Sequence, residues 1–389
     1  MNYIICHYNE IGLKGKNRRF FEEKLIENIK KNISKNFFKK IKRISGRIIM
    51  ELNDLTKIQK EEIRGGLEKV FGLAYFCFAQ ESKQELGEIE EQAKKLLKKE
   101  KFNSFRVSVQ RSNKNFPLTS VETEKQIGAF VLEEFRKRVD LTNPEITLFI
   151  EIVENYVFLY TEKIQGLGGL PVGTAGRAIC LLSDGIDSPV AAWQMMKRGL
   201  EIVFIHFYAY SENEKKAFEK VKNIVKILNF YQFQSKLYLV PFKAIQQEIF
   251  KKKENKYCCL VCKRIMFNMA EEIAKQEKSF TLITGDSLGQ VASQTIENMN
   301  VIEKATNLLV LRPLISFDKQ EIIKIAKKIN TYDLSIIPTR FYCQDCLPKH
   351  PITRANSGVV EKVEKEIQIN EVKKEILKQI IIEKFKLSA

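Results

Sequence analysis

Between residues 178 and 284 short apolar runs alternate with amphipathic helical stretches, and this alternation constrains the chain more than any other feature. Ala178–Leu182, Ile202–Phe207, Lys236–Val240 and Thr281–Thr284 read as strands, and Ser188–Arg198 and 214–228 as helices. Strands joined through helices pair in parallel, so this half is expected to form an α/β domain with a doubly wound parallel sheet covered by helices. Ligands in such sheets sit beyond the carboxyl ends of the strands, which directs attention to the loops after Leu182, Phe207 and Thr284. Upstream the pattern differs. Phe105–Gln110 alternates with period two, Ser120–Val139 is amphipathic at helical spacing, and Ile146–Val153 is a second strand, so this part reads as a small α+β module. Five glycines and a proline between Gly166 and Gly176 mark the main domain boundary. After about 358 the chain turns Glu/Lys-rich with spaced isoleucines and reads as one or more C-terminal helices.

Charge narrows the partner. The chain carries 65 Lys and Arg against 48 Asp and Glu, a net +17, and the first 50 residues alone hold 13 basic and 4 acidic residues. A local excess of this kind, on a chain 44% hydrophobic, belongs to a folded protein that meets a polyanion. Lys14, Lys16, Arg18 and Arg19 form its densest cluster, just ahead of an amphipathic stretch with Phe21, Leu25, Ile26 and Ile29 on one face. Taken alone, such a lysine-rich helix is equally a solvated face. No run reaches the roughly 18 to 20 apolar residues of a membrane span, and the N-terminus has no apolar signal core, so no membrane partner and a cytoplasmic location are expected.

The loop Leu182-Ser183-Asp184-Gly185-Ile186-Asp187-Ser188 joins a buried strand to a helix whose early residue is Pro189. Unpaired N–H groups at a helix start hold an anion with several donors at once, and Ser183 and Ser188 add hydroxyls. Proline suits the first helical turn, and an aspartate in the loop suits Mg²⁺ rather than the lysine of a Walker loop. An ordinary capped turn is the bland alternative. Gly285-Asp286-Ser287-Leu288-Gly289-Gln290 follows another strand and is expected to open a helix, with Gln294 one turn beyond Gln290. Among the eight cysteines, Cys259 with Cys262 and Cys343 with Cys346 form two Cys-x-x-Cys pairs. Spacing leaves a Cys₄ zinc site, an iron–sulfur cluster and a sulfur-carrying thiol all open.

Together these residues resemble the PP-loop ATP pyrophosphatases, whose signature is Ser-Gly-Gly-x-Asp-Ser, with Asp184 standing where the signature has its first glycine. More closely, the chain resembles the ThiI family of tRNA 4-thiouridine synthetases. The likeness runs through Ser188-Pro-Val-Ala-Ala-Trp193, Cys259-Leu-Val-Cys-Lys-Arg-Ile-Met266 and Thr284-Gly-Asp-Ser-Leu-Gly-Gln-Val-Ala-Ser-Gln-Thr-Ile-Glu-Asn298. At the front, His7 to Arg18 is similar to the family's ferredoxin-like domain, and Arg106 to Ala129, with Phe116-Pro-Leu-Thr-Ser120, to a THUMP domain. The resemblance implies three domains: ferredoxin-like α+β at 1–58, RNA-binding THUMP α+β at 59–165, and PP-loop α/β at 166–389.

It implies further that ATP adenylates O4 of a tRNA uridine, uridine-8 by expectation, with loss of pyrophosphate, after which a sulfur nucleophile attacks C4 and AMP leaves. Leu182, Ser183, Gly185, Asp187, Ser188, His206, Phe207, Arg264, Gly285 and Gln294 are then expected to hold ATP, with Asp187 meeting Mg²⁺ and Arg264 ranked above Lys263 for the α-phosphate. His206 reads equally as a core histidine. The chain ends without the rhodanese domain of longer members, so the persulfide relay those members use is expected to be incomplete. Related thiolases hold a [4Fe–4S] cluster on three cysteines, and Cys259, Cys262 and Cys343 fit that arrangement, with Cys346 a substitute ligand and Cys258 a spare. Cys343 also matches a cysteine that resolves the product by forming a disulfide, so Cys343 and Cys346 join Asp187 as the catalytic candidates. Expected partners are tRNA, a cysteine desulfurase or free sulfide as donor, and a second copy in a homodimer. Other functions weighed are a tRNA-binding protein with a degenerate PP-loop, a thiolase for another tRNA base, and a sulfur-transfer step in thiamine thiazole synthesis.

Overall fold

The structure, a computed structural model, describes residues 1–209, 215–251, 255–338, 351–367 and 369–387. It divides into two compact units, Met1–Pro171 and Val172–Ser388. Among the described residues no helix is long and apolar enough to cross a membrane.

The first unit is built on a nine-stranded sheet: β1 (Tyr3–His7), β2 (Phe38–Ile44), β3 (Arg47–Leu52), β4 (Tyr75–Ser82), β5 (Ser104–Arg111), β6 (Arg138–Val139), β7 (Ile146–Val153), β8 (Tyr156–Tyr160) and β9 (Ile164–Gln165). Its order is β2-β3-β1-β4-β8-β7-β5-β6, with β9 on β4. β4 pairs with β1 at one edge and β8 at the other, so the first module runs well past residue 58 and the two α+β modules share one sheet. Phe21, Leu25, Ile26 and Ile29 of helix Arg18–Asn32 pack on the first module's core as their spacing predicts. The helix expected to reach Val139 stops at Phe135, where Arg136 takes a left-handed φ of 50°, and Arg138–Val139 instead adds an edge strand beside β5.

The second unit is a six-stranded sheet of β10 (Arg177–Leu181), β11 (Glu201–Tyr208), β12 (Gln234–Pro241), β13 (Thr281–Ile283), β14 (Leu309–Leu311) and β15 (Ile381–Lys386), ordered β14-β13-β10-β11-β12-β15. β10 to β14 are mutually parallel, and Ile179, Val203, Ile205, Val240 and Leu282 are buried in the core beneath helix Cys258–Gln276. The strand order reverses around β10, which places the loop after Leu181 at the switch point of the sheet. The C-terminal stretch holds helices Ser357–Glu366 and Asn370–Lys378 and then β15, which lies antiparallel along the outer edge of β12. Its apolar residues are too few and too exposed to announce a strand in the sequence; what β15 supplies is a hydrogen-bonded cover for an open edge.

Candidate active site

A cavity of about 450 Å³ opens at the carboxyl ends of β10, β11 and β13, lined by the loop after Leu181, by His206 and Phe207, by the start of helix Cys258–Gln276, and by Thr284 to Asp286 with Gln294. The loop is knitted by its serines. Ser188 Oγ accepts from the Ser183 N–H at 2.8 Å and lies 2.9 Å from Ser183 Oγ, which in turn accepts from the Gly185 N–H at 3.3 Å. Ser188 is buried and closes the loop, while Ser183 is exposed. Gly285 approaches so closely that a Cβ there would lie 2.8 Å from Ser188 N and 2.9 Å from Asp187 C, so only glycine lets the loop after β13 press on the first turn of helix Asp187–Lys197.

Each acid of the loop has a cationic partner. Asp187 pairs with Lys319 at 2.6 Å and accepts from Gln290 Nε2 at 3.0 Å. Asp184 turns onto Lys220, at 3.4 Å, and Lys220 also donates to the Ile337 carbonyl at 2.8 Å. The departure from the glycine of the PP-loop signature is therefore met by a side chain on helix Lys215–Gln232. His206 is buried, and its Nδ1 donates to the Leu182 carbonyl at 2.9 Å, since a peptide oxygen can only accept. Burial holds its pKa below the ordinary value, so the ring is neutral at pH 7. Phe207 packs edge-on to Phe242, with ring centres 5.4 Å apart.

Asp286 is the hub of the opposite wall. It accepts from Thr284 Oγ1 at 2.7 Å, Gln294 Nε2 at 3.1 Å and Lys263 Nζ at 3.2 Å. Burial raises its carboxyl pKa, and Lys263 with these hydrogen bonds outweighs that, leaving it lowered. Two expectations change here. Residues 285–291 do not open a helix: a short 3₁₀ turn at Ala292–Gln294 precedes helix Ile296–Glu303, so Gln294 lines the cavity from the end of that turn and Gln290 reaches Asp187 from the irregular backbone before it. Arg264, expected at the α-phosphate, points into the protein, with Nε 2.6 Å from Glu364 and Nη1 2.5 Å from the Val301 carbonyl, and Lys263 faces the cavity instead. Successive helix positions lie about 100° apart, and the bonds to Glu364 and Val301 hold Arg264 on the side turned from the cleft.

Cys258, Cys259 and Cys262 line the same cavity from the first turns of helix Cys258–Gln276. Burial pushes the Cys259 thiol up, and Lys263 pulls it back. Cys343 and Cys346 lie outside the described residues, and among the described residues no three His, Cys, Asp or Glu are grouped to hold a metal. In the first unit, Lys16 and Arg19 are exposed, Lys14 Nζ lies 5.1 Å from the centre of the Phe21 ring, and Arg18 is tied to Tyr8 at 2.6 Å and Glu22 at 3.0 Å. Lys319 and Lys220 were not singled out from sequence. Lys319 had one signal: Asp318 and Glu321 form a capping box, and a lysine at the positive end of a helix dipole is an unfavourable choice unless it meets an acid.

Three family models match the chain: a ThiI ferredoxin-like domain over residues 3–77, a THUMP domain over 83–162, and the model described as thiamine biosynthesis protein (ThiI) over 173–369. A probable tRNA sulfurtransferase of Thermoanaerobacter pseudethanolicus is 41% identical over 379 residues, covering 96% of this chain and 98% of its own. Another, from Caldanaerobacter subterraneus, is 43% identical over 364 residues, covering 93% and 94%. The crystal structure of a 4-thiouridine synthetase in complex with RNA and ATP superposes with a TM-score of 0.88 at 34% identity, over 99% of this chain and all of that one.

Proposed function

Since the chain belongs to the ThiI family of tRNA sulfurtransferases, we propose that it adenylates O4 of uridine-8 in tRNA with ATP and replaces that oxygen with sulfur. The observation that carries the reading is the convergence, in one cavity, of the serine-knitted loop, Asp187, Lys263 and two cysteines of a Cys-x-x-Cys pair. O4 of uracil is a poor leaving group; bonding it to the α-phosphorus of ATP expels pyrophosphate and turns it into part of a phosphate ester. A sulfur nucleophile then adds at C4, and AMP departs with the oxygen. The bound relative supports ATP and RNA as ligands of this fold.

The residues have separable tasks. Ser183, Gly185 and the N–H groups starting helix Asp187–Lys197 receive the phosphate tail, and Lys263 and Lys319 supply positive charge as pyrophosphate develops. Mg²⁺, which would neutralise the leaving pyrophosphate, would be held by Asp187, displacing Lys319 or Gln290 from its carboxylate. Leu182, His206 and Phe207 shape the base pocket, with neutral His206 fixed by the Leu182 carbonyl. Gln294 and Gly285 complete the wall. Cys259 and Cys262, both on the cavity wall, would carry sulfur or, with Cys343, ligate a [4Fe–4S] cluster, and iron and acid-labile sulfide analysis of anaerobically purified protein separates the two roles. Lys14, Lys16 and Arg19 contribute phosphate contacts in the first unit, and Arg18 organises the turn that presents them. The donor would be a cysteine desulfurase or free sulfide. A strain lacking this chain is expected to lose 4-thiouridine from its tRNA nucleosides by mass spectrometry and to regain it with the intact chain but not with Asp187→Ala; unchanged 4-thiouridine contradicts the reading.

A further inference from the structure

A carboxylate inside a phosphate-binding loop opposes the ligand. Asp184 is 8% exposed, so water screens its charge poorly, and it lines the cavity that would receive the triphosphate. Lys220 is also buried, at 5% exposed, in the second turn of helix Lys215–Gln232. Its ammonium is placed by two acceptors, Asp184 Oδ2 at 3.4 Å and the Ile337 carbonyl at 2.8 Å. A buried lysine without an acid, or a buried aspartate without a base, carries a large desolvation penalty, which this pairing offsets for both residues. Burial lowers the His206 pKa, the Leu182 carbonyl and Asp184 raise it, and Lys220 lowers it, so both charges act on the same wall of the cavity. With opposite charges 3.4 Å apart, Asp184 meets the cleft as one end of an ion pair rather than as a lone anion.

We propose that Lys220 is a positioning residue for nucleotide binding: it turns the Asp184 carboxylate out of the path of the phosphates and cancels its charge, so the loop binds ATP as though glycine stood at 184. The inference rests on the ATP-dependent function above and identifies how this chain sustains it with a different loop. Lys220 acts through Asp184, which sets a condition that a purely architectural role does not meet: the lysine becomes dispensable once the acid is gone.

Equilibrium binding of ATP with Mg²⁺ to the full chain tests this by calorimetry, beside thermal unfolding of each variant. Lys220→Met is expected to weaken ATP binding at least tenfold, Lys220→Arg by less than threefold, and Asp184→Gly to bind at least as tightly as the unaltered chain. The double variant Lys220→Met with Asp184→Gly is expected to recover affinity to within about threefold of the unaltered chain. A double variant as weak as Lys220→Met overturns the inference, because the lysine then acts on the nucleotide or through Ile337. So does Lys220→Met binding ATP normally. If Lys220→Met does not fold, the folded double variant decides the matter by the same criterion. An unaltered chain that binds no ATP refutes the function itself, whereas normal binding by the unaltered chain with the wrong variant pattern refutes this inference alone.

Discussion

Gly285 shows how much one missing side chain can determine. An alanine there would set its Cβ inside 3.0 Å of the Asp187–Ser188 backbone, and the loop has no flexible side chain to give way. Overpacking of this kind costs about 1–3 kcal/mol, so Gly285→Ala is expected to cut tRNA-dependent pyrophosphate release by tenfold or more, measured in a coupled assay; an active variant would show that the two loops do not need this contact. Lys263 carries a second prediction. Burial raises the Cys259 thiol, and Lys263 and a backbone hydrogen bond lower it, so Lys263→Met removes one lowering influence and leaves the raising one in place. The pH midpoint for alkylation of Cys259 should move up and its rate at pH 7.5 should fall; a midpoint unchanged or moved down would show that the two groups do not interact. At this scale the sequence was informative about type more than about direction. The motif Cys259 to Met266 located the cationic pair, but which of Lys263 and Arg264 faces the cleft depends on Glu364 and Val301, far along the chain. Asp184 stood out as a departure, and its partner did not, because nothing local marks a lysine 36 residues away.

At the level of elements, four of the five parallel strands were legible because burial on both faces leaves continuous apolar runs, and their observed bounds differ from the expected ones by a residue or two, as with Arg177–Leu181 and Gln234–Pro241; the three-residue β14 was not. β15 was not legible. It is short and exposed on most positions, and it exists through pairing with β12 and through the Lys222–Glu383 ion pair at 2.6 Å. Removing residues 381–389 should therefore uncover the edge of β12. Several backbone hydrogen bonds at about 0.5–1 kcal/mol each come to roughly 2 kcal/mol, a loss of about 4–8 °C in the unfolding midpoint for a unit of this size. An unchanged midpoint in thermal unfolding would show that β15 is dispensable. The segment after β13 was misread for a different reason: Gly-Asp-Ser before a polar run looks like a helix start, whereas Gly289 takes a φ of 76° and the Leu288 N–H bonds to the Ile315 carbonyl, so no α-helix begins until the 3₁₀ turn is past and Thr295 caps the next one.

For the whole molecule, the division into an α+β front and an α/β back was readable from the change in hydrophobic period, and the glycine-rich stretch holds the observed boundary at Pro171. The sharing of one sheet by the two front modules was not, since β4 pairs on both edges with strands remote in sequence. The charge distribution gives the front unit its own test. Neutral substitution of Lys14, Lys16 or Arg19 should weaken tRNA binding alike for all sequences and reduce the slope of log K against log salt by about one or less per residue. A slope that does not respond would remove these cations from the interface. The account as a whole depends on chemistry at the loop between β10 and helix Asp187–Lys197, and the most direct test is pyrophosphate release by the purified chain given ATP, Mg²⁺ and unmodified tRNA. The prediction is release that requires tRNA and disappears in Asp187→Ala; a chain that binds both ATP and tRNA yet releases no pyrophosphate would contradict it.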